Sequence, residues 1–363
     1  MGRAGLRSVT RQTWTSLVAA ACFVTLAALI AVLPVPYVTW SPGGTHDALG
    51  TVDDDRNGTT PGTPMIAITG IATYPTTGRL DLTTVSVTSA RARLSLPEAV
   101  AAYWLPNRDA LPRDSVYAPG KTPDQLAGEA TESMDTSQDN AVVAALRAAG
   151  QPVREMPMVS AVTIGAPAHN LLQPGDLIVS VGGVPVERID DVGTQIRRHE
   201  VDEPVEFVVL RDRAETRVTV TLASSAGQAG VPVVGITVAI GYAYQPEVSF
   251  DVGRIGESSA GLVFALAVYD KITPGPLLAG AHLAGTGIIT PTGEVGAIGG
   301  VAQKIAGAER AGAAAFLLPA ANCKDLDGVR TSLEVIKVAT LEQAIGAAQQ
   351  FGTAGQAAAL PRC

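Results

Sequence analysis

Charge is scarce in this 363-residue sequence: Asp, Glu, Lys and Arg make up 17% of it, against a usual ~25% for soluble domains. Positive charge is the scarcer sign, with 26 Lys and Arg against 34 Asp and Glu and a net charge of −8. Three of the cations, Arg3, Arg7 and Arg11, sit at the very start, so the body of the chain is more acidic still. Nucleic acid is held mainly by Lys and Arg on phosphates, and an acidic body excludes it as a partner. Cysteine is confined to Cys22, Cys323 and Cys363, and histidine to four scattered positions. With no C-x-x-C and no H-E-x-x-H, neither a structural zinc nor a zincin-type metal centre is expected. There is no G-x-G-x-x-G run. The nearest phosphate-loop string, from Ser115 to Thr122, lacks its first glycine and lies in a proline-rich stretch. No cofactor is expected.

Charged side chains are missing altogether from Gln12 to His46, and Leu17 to Leu33 is apolar except for Thr25. A helix over those residues rises ~25 Å, and one from Trp14 to Tyr37 exceeds the ~30 Å hydrocarbon core of a bilayer. Trp14 at one edge, with Tyr37 and Trp40 at the other, matches interfacial aromatics. The pattern predicts a transmembrane helix over 14–37. Residues 1–13, with their arginines, should stay cytoplasmic, and everything beyond Tyr37 should face outward. A cleaved signal peptide is the competing expectation.

Residues 41–64 are rich in Gly, Pro, Thr and Asp and predict a turn-rich linker. Strands are expected at Met65–Gly70 and Leu80–Thr88, a short helix at Leu94–Trp104, irregular chain over 105–124 and a helix over Gln125–Gly150. From Val153 to Ala223 the pattern changes to short strands with one helix.

The chemistry gathers after residue 247. A strand at Val248–Val252 leads through a turn holding Glu257, Ser258 and Ser259 into LVFALAVYDKI, a helix apolar on nearly every side and therefore buried. A serine at such a helix N-terminus suits acyl transfer, because free N–H groups and the positive dipole end can stabilise an oxyanion. Ser259 is the expected nucleophile, with Ser258 the alternative. A serine hydroxyl needs a base, and the downstream chain holds only one histidine, His282. Of the five lysines, Lys271 is twelve residues along the helix from Ser259, ~18 Å away by helical rise. Lys304 opens an Ala/Gly-rich helix whose close packing would desolvate its amine and favour the neutral, basic form.

Two stretches resemble known families. Gly165-x-Pro-Ala168 followed by Leu172-x-Pro-Gly-Asp176, then the Gly182–Gly183 turn and the hairpin EFVVLRDRAETRVTVTL, resemble a PDZ domain of the type attached to bacterial envelope proteases. The resemblance implies a groove that takes an extended peptide as an added strand and captures its carboxylate on backbone N–H groups, with the carboxylate loop expected near Gln151–Pro157. Ser258-Ser259-Ala260-Gly261, Thr286-Gly287-Ile288-Ile289 and Ile298-Gly299-Gly300-x-x-x-Lys304 resemble the proteolytic domain of Lon, a Ser–Lys peptidase. That likeness implies Ser259 as nucleophile, Lys304 as base and Thr286 as a supporting hydroxyl. Glu257 and Ser258 depart from the family's Gly-Pro before the nucleophile.

The whole arrangement resembles bacterial membrane-anchored, PDZ-containing Lon-like serine proteases that lack the ATPase module. The expected fold class is α+β: a transmembrane helix, linker and strands over 38–124, a helix plus PDZ domain over 125–225, a Lon-like α/β proteolytic domain over 229–352 and a tail over 353–363. Residues 65–104 are left open as a missing part of the peptidase domain, which would make the PDZ domain an insertion. The implied function is an ATP-independent, extracytoplasmic serine endopeptidase at the cell membrane, acting on unfolded or envelope proteins. A catalytically inactive PDZ adaptor is the alternative. Lon-like rings imply a homo-oligomer, a hexamer among the choices. An oxidising compartment would pair Cys323 with Cys363, whereas a cytoplasmic one would leave two thiols.

Overall fold

Two prolines end the first helix. In the computed structural model, which describes residues 11–52, 62–253, 258–354 and 360–363, α1 (Arg11–Val32) buries none of its side chains against the protein. It stops before Pro34 and Pro36, five residues short of the expected end of the span at Tyr37. The chain continues as β1 (Pro34–Val35) and β2 (Tyr37–Asp47). Much of the expected linker is therefore strand, because Pro42, Gly43 and Gly44 are absorbed as a bulge between Pro42 and Thr45 rather than ending the ladder. Residues 53–61 of that linker lie outside the described residues. After the short strand Ile66–Thr69 come β3 (Arg79–Val87), β4 (Leu94–Ser95), α2 (Leu96–Trp104), β5 (Asp109–Pro112) and α3 (Pro123–Ala148). β5 corrects the irregular chain expected over 105–124: Asp109–Pro112 pairs with Tyr37–Trp40 at the sheet edge, where proline is tolerated.

The chain divides into two units, one holding residues up to Ile68, Ala72–Ala148 and Val248–Cys363, the other Thr69–Ile71 and Ala149–Glu247. The second contains β6 (Arg154–Val162), β7 (Leu177–Val181), α4 (Ile189–Ile196), β8 (Pro204–Arg211), β9 (Ala214–Thr221) and β10 (Ile236–Ala243). Its antiparallel sheet has the order β9-β8-β7-β6-β10, over a core that includes Val159, Ile178, Phe207 and Val220. Asp176, buried, takes Arg211 on both carboxylate oxygens at 2.8 and 2.7 Å. This division differs from the expected 125–225 segment at both ends. The helix of 125–150 packs in the first unit, and β10 carries the second unit past residue 225.

The chain then returns to the first unit. A 3-10 turn (Ser258–Ala260) runs into α5 (Gly261–Ile272), followed by β11 (His282–Gly285), β12 (Ile288–Ile289), β13 (Val295–Gly296), α6 (Val301–Arg310), β14 (Ala315–Pro319), β15 (Glu334–Val338) and α7 (Leu341–Ala354). Its sheet has the order β15-β14-β11-β3-β2-β5. β15, β14, β11 and β3 run parallel, while β2 and β5 add antiparallel neighbours. β3 thus sits mid-sheet, and early and late segments share one core with the second unit inserted in sequence between them. α5 is buried almost throughout, Leu262 to Val268 all at 0% exposure, as a helix apolar all round must be. Beyond α7, Lys337 donates its N–H to the Pro361 carbonyl and Arg362 pairs with Glu334, so the end of the expected tail lies along β15.

Candidate active site

Ser259 sits half-buried in the turn ahead of α5, and its backbone is held from several sides. The Thr286 hydroxyl (3.1 Å) and the Gly287 N–H (2.8 Å) both donate to the Ser259 carbonyl. Leu262 N–H donates to the Gly287 carbonyl at 3.0 Å. On the other flank, Ser137 of α3 donates to the Ser258 carbonyl at 2.8 Å. The first turn of α6 supplies the partner side chain. Gly300 caps that helix with φ +72°, a left-handed conformation that favours glycine, and its carbonyl accepts the N–H of Lys304 at 2.9 Å. Lys304 is 2% exposed, and its Nζ lies 2.6 Å from Ser259 Oγ and 3.4 Å from Thr286 Oγ1. Three residues far apart in sequence therefore meet as one hydrogen-bonded group.

Beside them opens a cavity of about 420 Å³, walled by Trp40, Val85, Val87, Ile288, Ala297 and Ile298. A second, of about 350 Å³, is lined by Glu129, Glu132, Ser133, Thr136 and Asn140. Ser258 and Ile288 border both. Ser258, next to Ser259 in the turn, thus stands where an apolar recess meets a polar one. Trp40 was read only as an interfacial aromatic, and its place in the wall is set by β2 pairing with β3, a contact too distant in sequence for local pattern to show.

Other expected residues lie elsewhere. His282 Nε2 contacts the buried Asp81 at 2.9 Å, and Arg79 also donates to Asp81. Four residues of extended chain, ~13 Å, separate His282 from Thr286, too far for a base. Lys271 stands at the last turn of α5, where burial lowers its pKa while Asp270 and Asp47 oppose the shift. Glu257 lies outside the described residues. Lys121, of the string like a phosphate loop, is paired with Glu129 at 2.5 Å. Among the described residues no group of three or more His, Cys, Asp or Glu is placed to hold a metal ion. Cys323 and Cys363 are joined by a disulfide with Cα atoms 5.2 Å apart, while Cys22 is free and exposed on α1.

In the second unit the carboxylate loop expected near Gln151–Pro157 runs into a strand inside the sheet. Residues 154–162 form β6, which has β7 on one side and β10 on the other, so no free edge remains there for an added peptide strand. The sheet ends on β9 at one side and on β10 at the other, and β10 is entered through Val233-Val234-Gly235. Gly235 has φ +76°, and a Cβ on it would lie 2.2 Å from the Ala166 Cβ. The Gly165–Ala168 motif packs there, with Thr163 and Ala168 donating N–H groups to the Gly235 and Val234 carbonyls. A cavity of about 350 Å³ lies between Met156, Ile189 and Ile240.

Residues 252–350 match the Lon protease (S16) C-terminal proteolytic domain family, and residues 139–222 the PDZ domain family. Lon protease 1 of Sorangium cellulosum is 43% identical over 91 residues, covering 24% of this chain and 11% of the relative. The Lon protease of Rhizobium meliloti is 37% identical over 114 residues, covering 28% of this chain and 14% of the relative. The chain thus covers a small part of the curated relatives it matches. Among solved structures, the PDZ domain of the SdrC-like protein from Listeria monocytogenes has 23% identity and a TM-score of 0.21, covering 23% of this chain and 86% of that one. The chain joins a PDZ domain to a Lon-type (S16) proteolytic domain, and Ser259, Thr286 and Lys304 lie within the matched residues of the latter.

Proposed function

We propose that this chain is a membrane-anchored, ATP-independent serine endopeptidase working by a Ser259–Lys304 dyad outside the cytoplasm. The observation that carries the reading is the 2.6 Å separation of Lys304 Nζ and Ser259 Oγ at the mouth of an apolar cavity. A neutral Lys304 amine accepts the Ser259 proton as Oγ attacks a peptide carbonyl, then hands that proton to the leaving amine. Water repeats the sequence on the acyl-enzyme. Thr286 accepts a hydrogen from the amine and donates its own to the Ser259 carbonyl, orienting both partners. Backbone N–H groups at the start of α5 stand for the oxyanion, except that of Leu262, already bonded to Gly287.

The apolar walls favour a substrate with an apolar side chain beside the scissile bond. The free edge of β10 and the adjacent cavity take a peptide C-terminus in the second unit. Outward orientation is supported by the arginines ahead of α1 and by the disulfide in the first unit. ATP independence is supported by the nearest phosphate-loop string, Ser115 to Thr122, lacking its first glycine and lying in a proline-rich stretch. The proposed assembly is a homo-oligomer.

The test is casein and peptide hydrolysis by the full chain in detergent, with and without ATP and magnesium. Ser259→Ala and Lys304→Ala should each abolish turnover, with the double variant no worse than either single, because the two act as a unit. Near-normal turnover in Lys304→Ala overturns the dyad, and dependence on nucleotide overturns the energy-independent reading. A lysine base acts in its neutral form, so the rate should rise with pH.

A further inference from the structure

Helix α2 leaves a row of large apolar side chains uncovered. Ala99 and Ala102 are buried beneath it, while Leu96 and Val100 are exposed, and Tyr103 and Trp104 are 75% and 78% exposed. Leu105 extends the row. At 3.6 residues per turn the four helical positions span an arc of about 100°. Glu98 lies on another flank, where its carboxylate accepts the N–H and hydroxyl of Ser95 and its pKa is held down by them. Around the helix, Arg91, Arg93 and Arg108 are exposed.

The neighbouring backbone fixes what faces this row. α1 ends at Val32, and two residues later Pro34 pairs with Ser95 and Val35 with Leu94. Ser95 is the N-cap of α2. Paired strands lie about 4.8 Å apart, so α2 begins one strand spacing from chain that has just left α1. Leu33 and Tyr37, on either side of β1, are exposed as well. Apolar and aromatic side chains with flanking arginines, pinned level with the end of an apolar 22-residue helix, are the chemistry of a helix lying in a lipid headgroup layer.

We propose that α2 docks in the phospholipid interface of the bilayer that α1 crosses, as a second contact seating the peptidase unit on the membrane. This rests on α1 being a membrane span. The consequence reaches the active site: Trp40, three residues or about 10 Å along β2 from Tyr37, walls the cavity beside Ser259. The serine is held near the membrane surface, and its substrates are the membrane-proximal segments of anchored proteins.

The test reconstitutes the full chain into phosphatidylcholine/phosphatidylglycerol vesicles, with an environment-sensitive fluorophore at one of three places. One is the native Cys22 thiol. The others are Tyr103→Cys and Glu342→Cys, each with Cys22→Ser; Glu342 lies on α7, which packs against β15 at the far edge of the sheet from β5. Lipids carrying nitroxides deep in the acyl chain or near the headgroup then quench the probe. The Cys22 probe should respond most to the deep nitroxide and the Tyr103 probe most to the shallow one, at least threefold more than the Glu342 probe. Quenching at Cys22 with Tyr103 no better quenched than Glu342 overturns the docking of α2 and leaves the anchor standing. Absence of quenching at Cys22 overturns the anchor, and the proposal with it. In a second measurement, Val100→Ser with Trp104→Ser should leave hydrolysis of a soluble peptide within twofold. Cleavage of a lipid-tethered peptide near its attachment point should fall at least fivefold, and equal rates there overturn the proposal.

Discussion

Two buried ionisable side chains, Asp176 of the second unit and Lys304 of the first, have neighbours of different kinds. Asp176 of the second unit, 1% exposed, receives two guanidinium bonds from Arg211 and the N–H of Gln173. Lys304 of the first, 2% exposed, has hydroxyls of Ser259 and Thr286 at its amine. A carboxylate matched by a fixed cation serves the fold, since removing either partner strands the other. An amine set against hydroxyls can accept a proton and return it. Burial alone says nothing about which role a charge plays; the partner does.

The sharpest way to break that contrast is Lys304→Met. It removes the proposed base but fills much the same space with apolar atoms, so that no amine has to be desolvated there. Peptide hydrolysis should fall by about 10⁴-fold, a loss typical of one member of a catalytic unit, with an unchanged or higher melting temperature. A large drop in melting temperature would make Lys304 structural and erase the distinction.

The covalent staple separates the units next. The disulfide spans a sequence separation of 40 in the first unit, for which chain entropy gives about 4 kcal/mol before strain, while the second unit has no cysteine. Calorimetry of Cys363→Ser, or of the wild type under reductant, should show one transition lowered and the other in place. Two transitions moving together would mean that the units unfold as one.

Asp176→Ala is the mirror of the lysine variant. Leaving Arg211 unpaired should cost the second unit about 3 kcal/mol, read as a lower urea midpoint or faster proteolysis within 149–247. Hydrolysis of a short peptide should stay within twofold, because Ser259, Thr286 and Lys304 all belong to the other unit.

How much of this was legible in the sequence depended on range. The strings around Ser259, Thr286 and Lys304 were readable because each is a local device: a helix start, a strand end, a glycine cap. The same is true of Leu172–Asp176, although its reason, a buried aspartate waiting for Arg211, lies 35 residues downstream. The linker was misread because Pro and Gly usually punctuate, and only pairing with β3 turns Ser41–Asp47 into strand. That residues 154–162 lie inside the sheet was hidden for a related cause. β10 comes after the recognised motifs in the chain and becomes an edge only by pairing with β6. Helix α3 looked attached to the β-rich segment that follows it, yet Ser137 and Asn140 bond to the Ser258 and Ile289 carbonyls, partners more than a hundred residues away.

The smallest expected effect tests how finely the site is built. Thr286 is 1% exposed and joins the proposed dyad at two points, accepting from Lys304 and donating to the Ser259 carbonyl. Thr286→Val keeps the shape and removes both bonds. The Ser259 carbonyl would still accept the Gly287 N–H, so the turn should hold and only the orientation of the amine should loosen. Losing such a hydrogen bond is worth about 1–1.5 kcal/mol, or roughly tenfold in rate. The loss should appear in kcat rather than KM, and Thr286→Ser should recover most of it. A loss of a thousandfold would mean that the hydroxyl takes part in proton transfer itself. No change would reduce Thr286 to packing, with the Gly287 N–H still holding the Ser259 carbonyl.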